Sequence, residues 1–281
     1  MSSSEPRHLL SAPEGRWTAA EEGDEEAPAC GRACCSRLPP RALVVLLGAL
    51  TTPATAVLFA WLRNVWLTFA AVATLWVGMP LAVCCTNAPV RQVLRKHWRR
   101  GLRRPGFQVS VAVPLALGIV GSALLTYRYV ARYVVDVDSL RAKLADYGLS
   151  DADPAPDVIA LLWLTFLNPI MEEGFWRVFC FQLLLRDGGG EDRRRWWTAA
   201  LAVSVLYAAY HLPVVWNFLP LALVLGCGVG LTLLGLALQR VVERLGLIVA
   251  IVAHGACDAV VSVIVADVVW SWGLVERTRR R

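Results

Sequence analysis

The chain has 281 residues, 57% of them hydrophobic, and a formal net charge of +6; its mean hydropathy is +0.51. Leucine and valine runs along most of its length exclude an ordinary soluble domain and point to an integral, multi-pass membrane protein. The arginine excess does not indicate nucleic-acid binding, because the arginines sit beside apolar runs, where they set topology.

Residues 1–40 are rich in Ser, Glu, Pro, Gly and Ala without apolar periodicity, so they read as a disordered polar tail. No short apolar segment near the start reads as a cleaved signal peptide. The eight cysteines do not form a disulfide framework. Cys84, Cys85, Cys180, Cys227 and Cys257 fall in apolar runs and pack as small hydrophobes. Cys30, Cys34 and Cys35 stand just before the first span, where a thiol is either unmodified or S-acylated.

Residues 41–106 read as a transmembrane hairpin followed by a basic loop. The first span covers Ala42 to Trp61 and the second Val65 to Cys85, joined only by Leu62, Arg63 and Asn64. Arg91, Arg95, Lys96, Arg99, Arg100, Arg103 and Arg104 follow with no acidic residue among them. Short loops of this kind stay in the cytoplasm, which also places the N-terminus there.

Residues 107–281 read as a second group of spans. The third runs from Phe107 to Tyr129 into a polar connection holding Asp136, Asp138, Asp146, Asp151, Asp153 and Asp157, with a short surface helix over Ser139 to Tyr147. The fourth covers Leu161 to Leu185 and ends at Arg186-Asp187-Gly188-Gly189-Gly190, before Arg193, Arg194 and Arg195. The fifth covers Trp196 to His211, closed by Leu212-Pro213. The sixth runs from Leu219 to Leu238, where Gly226, Gly228, Gly230 and Gly235 suit close helix approach. They are not a phosphate loop, since they follow no strand. A last apolar stretch covers Leu245 to Trp272. The expected fold is therefore an all-α polytopic transmembrane bundle of seven spans, or eight if the last stretch contains two short passes. Seven would place the basic end, Arg277 to Arg281, on the side that the positive-inside tendency disfavours.

The fourth span contains Asn168-Pro169-Ile170-Met171-Glu172-Glu173-Gly174-Phe175-Trp176-Arg177. Each charge at that depth costs roughly 2.5–3.5 kcal/mol on the insertion scale. Glu173 and Arg177, four apart, can neutralise each other as an internal ion pair, but this leaves Glu172 without a partner. Two later spans add ionisable groups at the same spacing: Tyr207 with His211, and His254 with Asp258. Intramembrane ionisable groups face the bundle interior and pair there, so a shared polar site is the economical expectation. Pro169 fits that site, by freeing a carbonyl near it, or a simple kink.

These residues carry a resemblance. Pro169 to Arg177 resembles the P-x-x-E-E-x-x-x-R motif of the CPBP family, which contains intramembrane CAAX prenyl proteases and bacteriocin-processing enzymes. Tyr207 to His211 resembles that family's F-x-x-x-H with Tyr in place of Phe, followed by Leu212-Pro213. His254 to Asp258 is similar to H-x-x-x-(N/D), and Cys257 to the H-x-x-C-N form of type II CAAX proteases. The motifs occur in family order within residues 156–272, which makes 107–281 the expected catalytic bundle. Residues 1–106 match nothing beyond tail and spans.

The resemblance implies an intramembrane glutamate-dependent endopeptidase like a type II CAAX prenyl endopeptidase, acting near the C-terminus of prenylated proteins. Glu172 would be the general base that activates a water, and His211 would help hold it. Glu173 and Arg177 would support that carboxylate, and His254 with Asp258 would face the oxyanion. An ionised aspartate only accepts hydrogen bonds, so Asp258 would have to be protonated or orient His254 instead. No cofactor is assigned, and metal dependence stays open. Zinc stays open, since two histidines, a glutamate and an aspartate are its donor types, but no H-E-x-x-H occurs. The implied partners are the bilayer and a prenylated CAAX protein or other membrane peptide, in the endoplasmic reticulum of a eukaryote or the plasma membrane of a bacterium. Two rivals remain: a non-proteolytic scaffold or immunity-type member of the same family, and a proton-coupled transporter, for which no internal repeat is visible.

Overall fold

The computed structural model describes residues 40–134, 136–149, 154–186, 193–272 and 274. The tail with Cys30, Cys34 and Cys35, Asp151 and Asp153, the glycine loop Gly188–Gly190 and the basic end Arg277–Arg281 lie outside the described residues. Within them there is no strand, and seven helices are long and apolar enough to cross a bilayer.

These are α1 (Ala42–Trp61), α2 (Val65–Thr86), α4 (Pro105–Val134), α6 (Pro154–Leu185), α7 (Arg193–Phe218), α8 (Leu221–Arg244) and α9 (Leu247–Trp270). Two further helices, α3 (Ala88–Gly101) and α5 (Val137–Asp146), are too short and polar to span. The last apolar stretch is one uninterrupted helix of 24 residues, which decides for seven spans over eight.

Two boundaries near the site differ from the sequence reading. Helix α6 starts at Pro154, not Leu161, because Pro154 and Pro156 fall in its first turn, where backbone N–H groups have no helical acceptor to lose. Asp157 therefore belongs to a helix N-terminus, where a carboxylate suits the dipole, and it is buried there. Helix α7 does not close at Leu212-Pro213 but continues to Phe218. A proline inside a spanning helix is tolerated because a packed bundle can accommodate the freed backbone; Pro213 withholds the N–H that would donate to the Ala209 carbonyl, while the Asn217 amide donates to the carbonyl of Pro213 itself at 2.5 Å. This extension brings His211 well inside its helix.

Of the four glycines in α8, only two meet another helix. A Cβ at Gly235 would stand 2.9 Å from Ser204 and one at Gly228 3.3 Å from Leu212, whereas Gly226 and Gly230 have nothing within 4 Å. The first pair lets α7 and α8 approach closely; the second faces outward.

The bundle ends are tied differently. At one end Arg63 pairs with Asp146 at 2.9 Å, Tyr147 stacks on Phe59, and the Arg141 Nε donates to the Val268 carbonyl at 2.7 Å. At the other, Gln108 donates to the carbonyls of Gly101 at 2.9 Å and Arg103 at 2.5 Å, while its Oε1 accepts from the Ile248 N–H at 3.0 Å. That one side chain joins α3 to the otherwise unsatisfied first turn of α9. It fits only because Gly246, at φ +107°, has no Cβ, which would come within 2.2 Å of the amide.

Helix α3 lies across this second end. Val90 and Leu94 enter the core, and Gly101 abuts Leu247. His97 donates its Nδ1–H to the Val93 carbonyl at 2.9 Å. Burial holds its proton affinity below the ordinary 6.5, and Arg100 and Lys96 lower it further against that hydrogen bond. A histidine that binds protons less readily when folded lowers stability as the pH falls below about 6.5, where the unfolded chain takes up the proton first. Thermal unfolding in detergent should therefore occur at lower temperature at pH 5 than at pH 7, and His97→Gln should shrink that difference; an unchanged pH dependence in the variant would assign it elsewhere.

Candidate active site

The site is built where α6, α7 and α9 meet. Around the carboxylate pair, α6 departs from regular α geometry: Trp163–Leu167 and Gly174–Cys180 form wider π turns on either side of Asn168–Glu173. Such turns re-aim side chains and recur at functional sites. Neighbouring residues on a helix point about 100° apart, so Glu172 and Glu173 can both be buried only where the helix is surrounded. It is, since Glu172, Glu173 and the run from Phe175 to Phe181 are all buried.

Glu173 is the hub. Its Oε1 accepts the Nδ1–H of His254 at 2.9 Å, and its Oε2 faces the Nε of Arg177 at 3.3 Å. All three side chains are at most 2% exposed. A carboxylate can only accept, so its contact assigns the His254 proton to Nδ1 and turns Nε2 toward the remaining acids. That nitrogen stands 3.8 Å from Glu172 Oε2 and 3.8 Å from Asp258 Oδ2. Both distances are too long for direct hydrogen bonds, and Glu172 Oε2 accepts none among the described residues.

Asn168 completes the cluster and was not singled out from sequence. Its amide nitrogen donates to Glu172 Oε1 at 2.5 Å and to Asp258 Oδ2 at 3.3 Å, holding the two acids together. Its spacing of four before Glu172 was the available signal. Further along the same α6–α9 seam, Thr165 and Ser262 exchange a hydrogen bond at 3.0 Å. The helices approach this closely because Gly255 has no side chain: a Cβ there would stand 3.1 Å from the Thr165 carbonyl.

His211 joins the cluster indirectly. Its Nδ1 donates to the Tyr207 carbonyl at 2.8 Å, and its Nε2 meets the Tyr210 hydroxyl at 3.0 Å. The same hydroxyl lies within hydrogen-bond reach of Glu172. Tyr210 is the second residue missed from sequence. It is fixed between Trp176, stacked at 5.7 Å, and Trp76, edge-on at 5.0 Å. Tyr207 meets His211 edge-on rather than face to face, at 4.7 Å and 66°, and its ring face receives the Arg177 guanidinium, 4.7 Å from the centroid. The structure thus brings Glu172, Glu173, Arg177, His254 and Asp258 into one cluster and links His211 through Tyr210. Among the described residues no group of three histidine, cysteine, aspartate or glutamate side chains is arranged to hold a metal ion, so the open zinc reading finds no ligand set there.

A multi-pass bundle enclosing carboxylates, imidazoles and a guanidinium is an integral membrane protein with a buried polar site. Residues 154–260, which include all three motifs, match the family model of Rce1-like proteins, the type II CAAX prenyl endopeptidases. This part of the chain is similar to that family, in agreement with the motif resemblance, and the family is generally one of proteases. No curated protein and no solved structure matches the chain.

Removing one partner of a buried ion pair strands the other charge, at a cost of about 3–5 kcal/mol. Arg177→Met should therefore lower the unfolding temperature strongly, and Arg177→Met combined with Glu173→Gln should recover part of the loss. Equal destabilisation in the single and double variants would show that Arg177 does not act through Glu173.

Proposed function

We propose that the protein is an intramembrane endopeptidase in which Glu172 activates water to cleave a peptide bond near the C-terminus of a prenylated protein. The observation that carries this reading is the unpartnered Oε2 of Glu172, 3.8 Å from His254 Nε2, a separation that suits one bridging water. Glu172 takes the water's proton, and Asn168, donating to its other oxygen, keeps the carboxylate aimed. Glu173 orients His254 through Nδ1, so that Nε2 faces the reacting centre, where it stabilises developing charge as a donor only when the ring is the imidazolium, with both nitrogens protonated.

Asp258 takes the role of orienting rather than donating, because it accepts from Asn168. The amide that the H-x-x-x-N pattern supplies from α9 is here supplied from α6. His211 acts through Tyr210. With Nδ1–H committed to a carbonyl, a neutral His211 accepts the Tyr210 proton at Nε2; a hydroxyl has only one proton, so Tyr210 can donate to Glu172 only if His211 is protonated. This pair is a proton reserve beside the base.

A lipidated substrate is supported by an apolar groove of about 320 Å³ immediately beyond His211, lined by Leu212, Leu225, Gly228, Val229, Thr232 and Leu233. Leu225, Val229 and Leu233 are each at least 60% exposed on the lipid-facing side. The basic loops after α2 and α6 favour a cytoplasmic N-terminus.

The test is cleavage of a farnesylated CAAX peptide by purified protein. Glu172→Gln preserves size and polarity and should reduce cleavage at least about a hundredfold with little change in unfolding temperature. Asn168→Leu should reduce it by about tenfold, through the loss of one net hydrogen bond to a charged group. Undiminished cleavage by Glu172→Gln would remove Glu172 from its role. Absence of cleavage by the native chain, with Glu172→Gln unfolding instead, would favour a scaffold.

A further inference from the structure

Helix α3 carries charge that nothing in the bundle uses. Val90 and Leu94 are buried on one side, while Arg95, Lys96, Arg99 and Arg100 are exposed and fill the opposite half of the helix at spacings of one and four. Arg103 and Arg104 continue the exposed series in the turn after it. Arg91 is spent in part on the Cys84 carbonyl at the end of α2. Among the described residues none of the other six pairs with an acidic side chain. The helix is fixed at both ends: Asn87, which directly follows α2, caps its first turn by accepting from the Val90 N–H, and Gly101 packs against Leu247 of α9. Because α2 and α4 both span, α3 is held where the hydrocarbon gives way to headgroups.

Fixed cations at that level, with an apolar face turned inward, match one partner chemistry. A topology signal requires only that positive charge be present in the loop; it requires neither a helix nor a single exposed face. We propose that the basic face of α3 binds anionic phospholipid headgroups of the adjoining leaflet. Juxtamembrane lysine and arginine are drawn to such surfaces, and the attraction falls off within a Debye length.

The binding bears on the site through a direct contact. The Trp98 ring packs against Gly174, where a Cβ would lie 3.4 Å from it, and Gly174 follows Glu173 and opens the π turn over Gly174–Cys180. Headgroups that hold α3 against the bundle therefore hold the backbone beneath the carboxylate pair. This second part rests on the proteolytic reading above; the lipid contact itself does not.

The experiment uses the full chain in nanodiscs of phosphatidylcholine alone or with about one-third phosphatidylserine, and in detergent with both lipids supplied. In detergent, native mass spectrometry should show phosphatidylserine retained over phosphatidylcholine, with the preference lost as salt rises from about 0.05 to 0.5 M. The variant R95Q/K96Q/R99Q/R100Q should lose the preference by about tenfold or more, whereas R95K/R99K/R100K should keep most of it. Equal retention of the two lipids by the native chain, or a preference that ignores salt, would overturn the proposal without recourse to any variant. Cleavage of the farnesylated peptide should rise several-fold with phosphatidylserine in the native chain and lose that response in Trp98→Ala, which leaves the cations in place. Retention with no such response overturns the coupling alone. Retention with no cleavage in any bilayer overturns the proteolytic reading and leaves the lipid surface standing.

Discussion

The structure depends on one buried arrangement, the Glu173 carboxylate held between His254 and Arg177. A single carboxylate inside a membrane bundle is expensive, and an ion pair there is close to break-even at best. Here two partners from two helices share the cost: Arg177 is one turn along α6, and His254 comes from α9. The pair within α6 forms wherever that helix forms. The contact to α9 exists only when the bundle closes, so it reports and enforces the packing of α6 against α9. Gly255 and the π turns are consequences of that demand, the first letting the helices touch and the second turning two adjacent acids inward.

Glu173 has a cation and an imidazole N–H as partners, whereas Glu172 keeps one oxygen that accepts no hydrogen bond among the described residues. The two glutamates are neighbours in sequence and nearly equal in burial, yet their surroundings differ. Glu173 faces a guanidinium and an imidazole N–H, whereas Glu172 faces an amide, a phenol and an imidazole nitrogen 3.8 Å away. Environment, not residue type, separates the structural acid from the candidate base.

The aromatic shell explains why the polar cluster stays in place. Trp76 from α2 and Trp176 from α6 enclose Tyr210, and Phe175 stacks against Trp76. The N-terminal hairpin, which carries none of the three motifs, thereby supplies a wall of the site. Helix α3, between that hairpin and α4, closes the same region from one end.

Much of this was legible from residues alone. Runs of about twenty apolar residues are spans because a bilayer offers unpaired backbone no partners, and spacings of four place Glu173 with Arg177 and His254 with Asp258 by helix geometry. The composition and the motifs thus determined an all-helical membrane bundle, and named ionisable side chains that could meet in its interior. They could not determine that α7 runs through Pro213, since a proline reads as a stop in an isolated segment, whereas a packed bundle tolerates one within a span. Nor could they find Asn168 and Tyr210, whose importance comes from what faces them on other helices. Local spacing is encoded along one chain segment; convergence of three helices on one point is decided by packing, where a missing Cβ at Gly255 or Gly246 sets distances that no segment carries by itself.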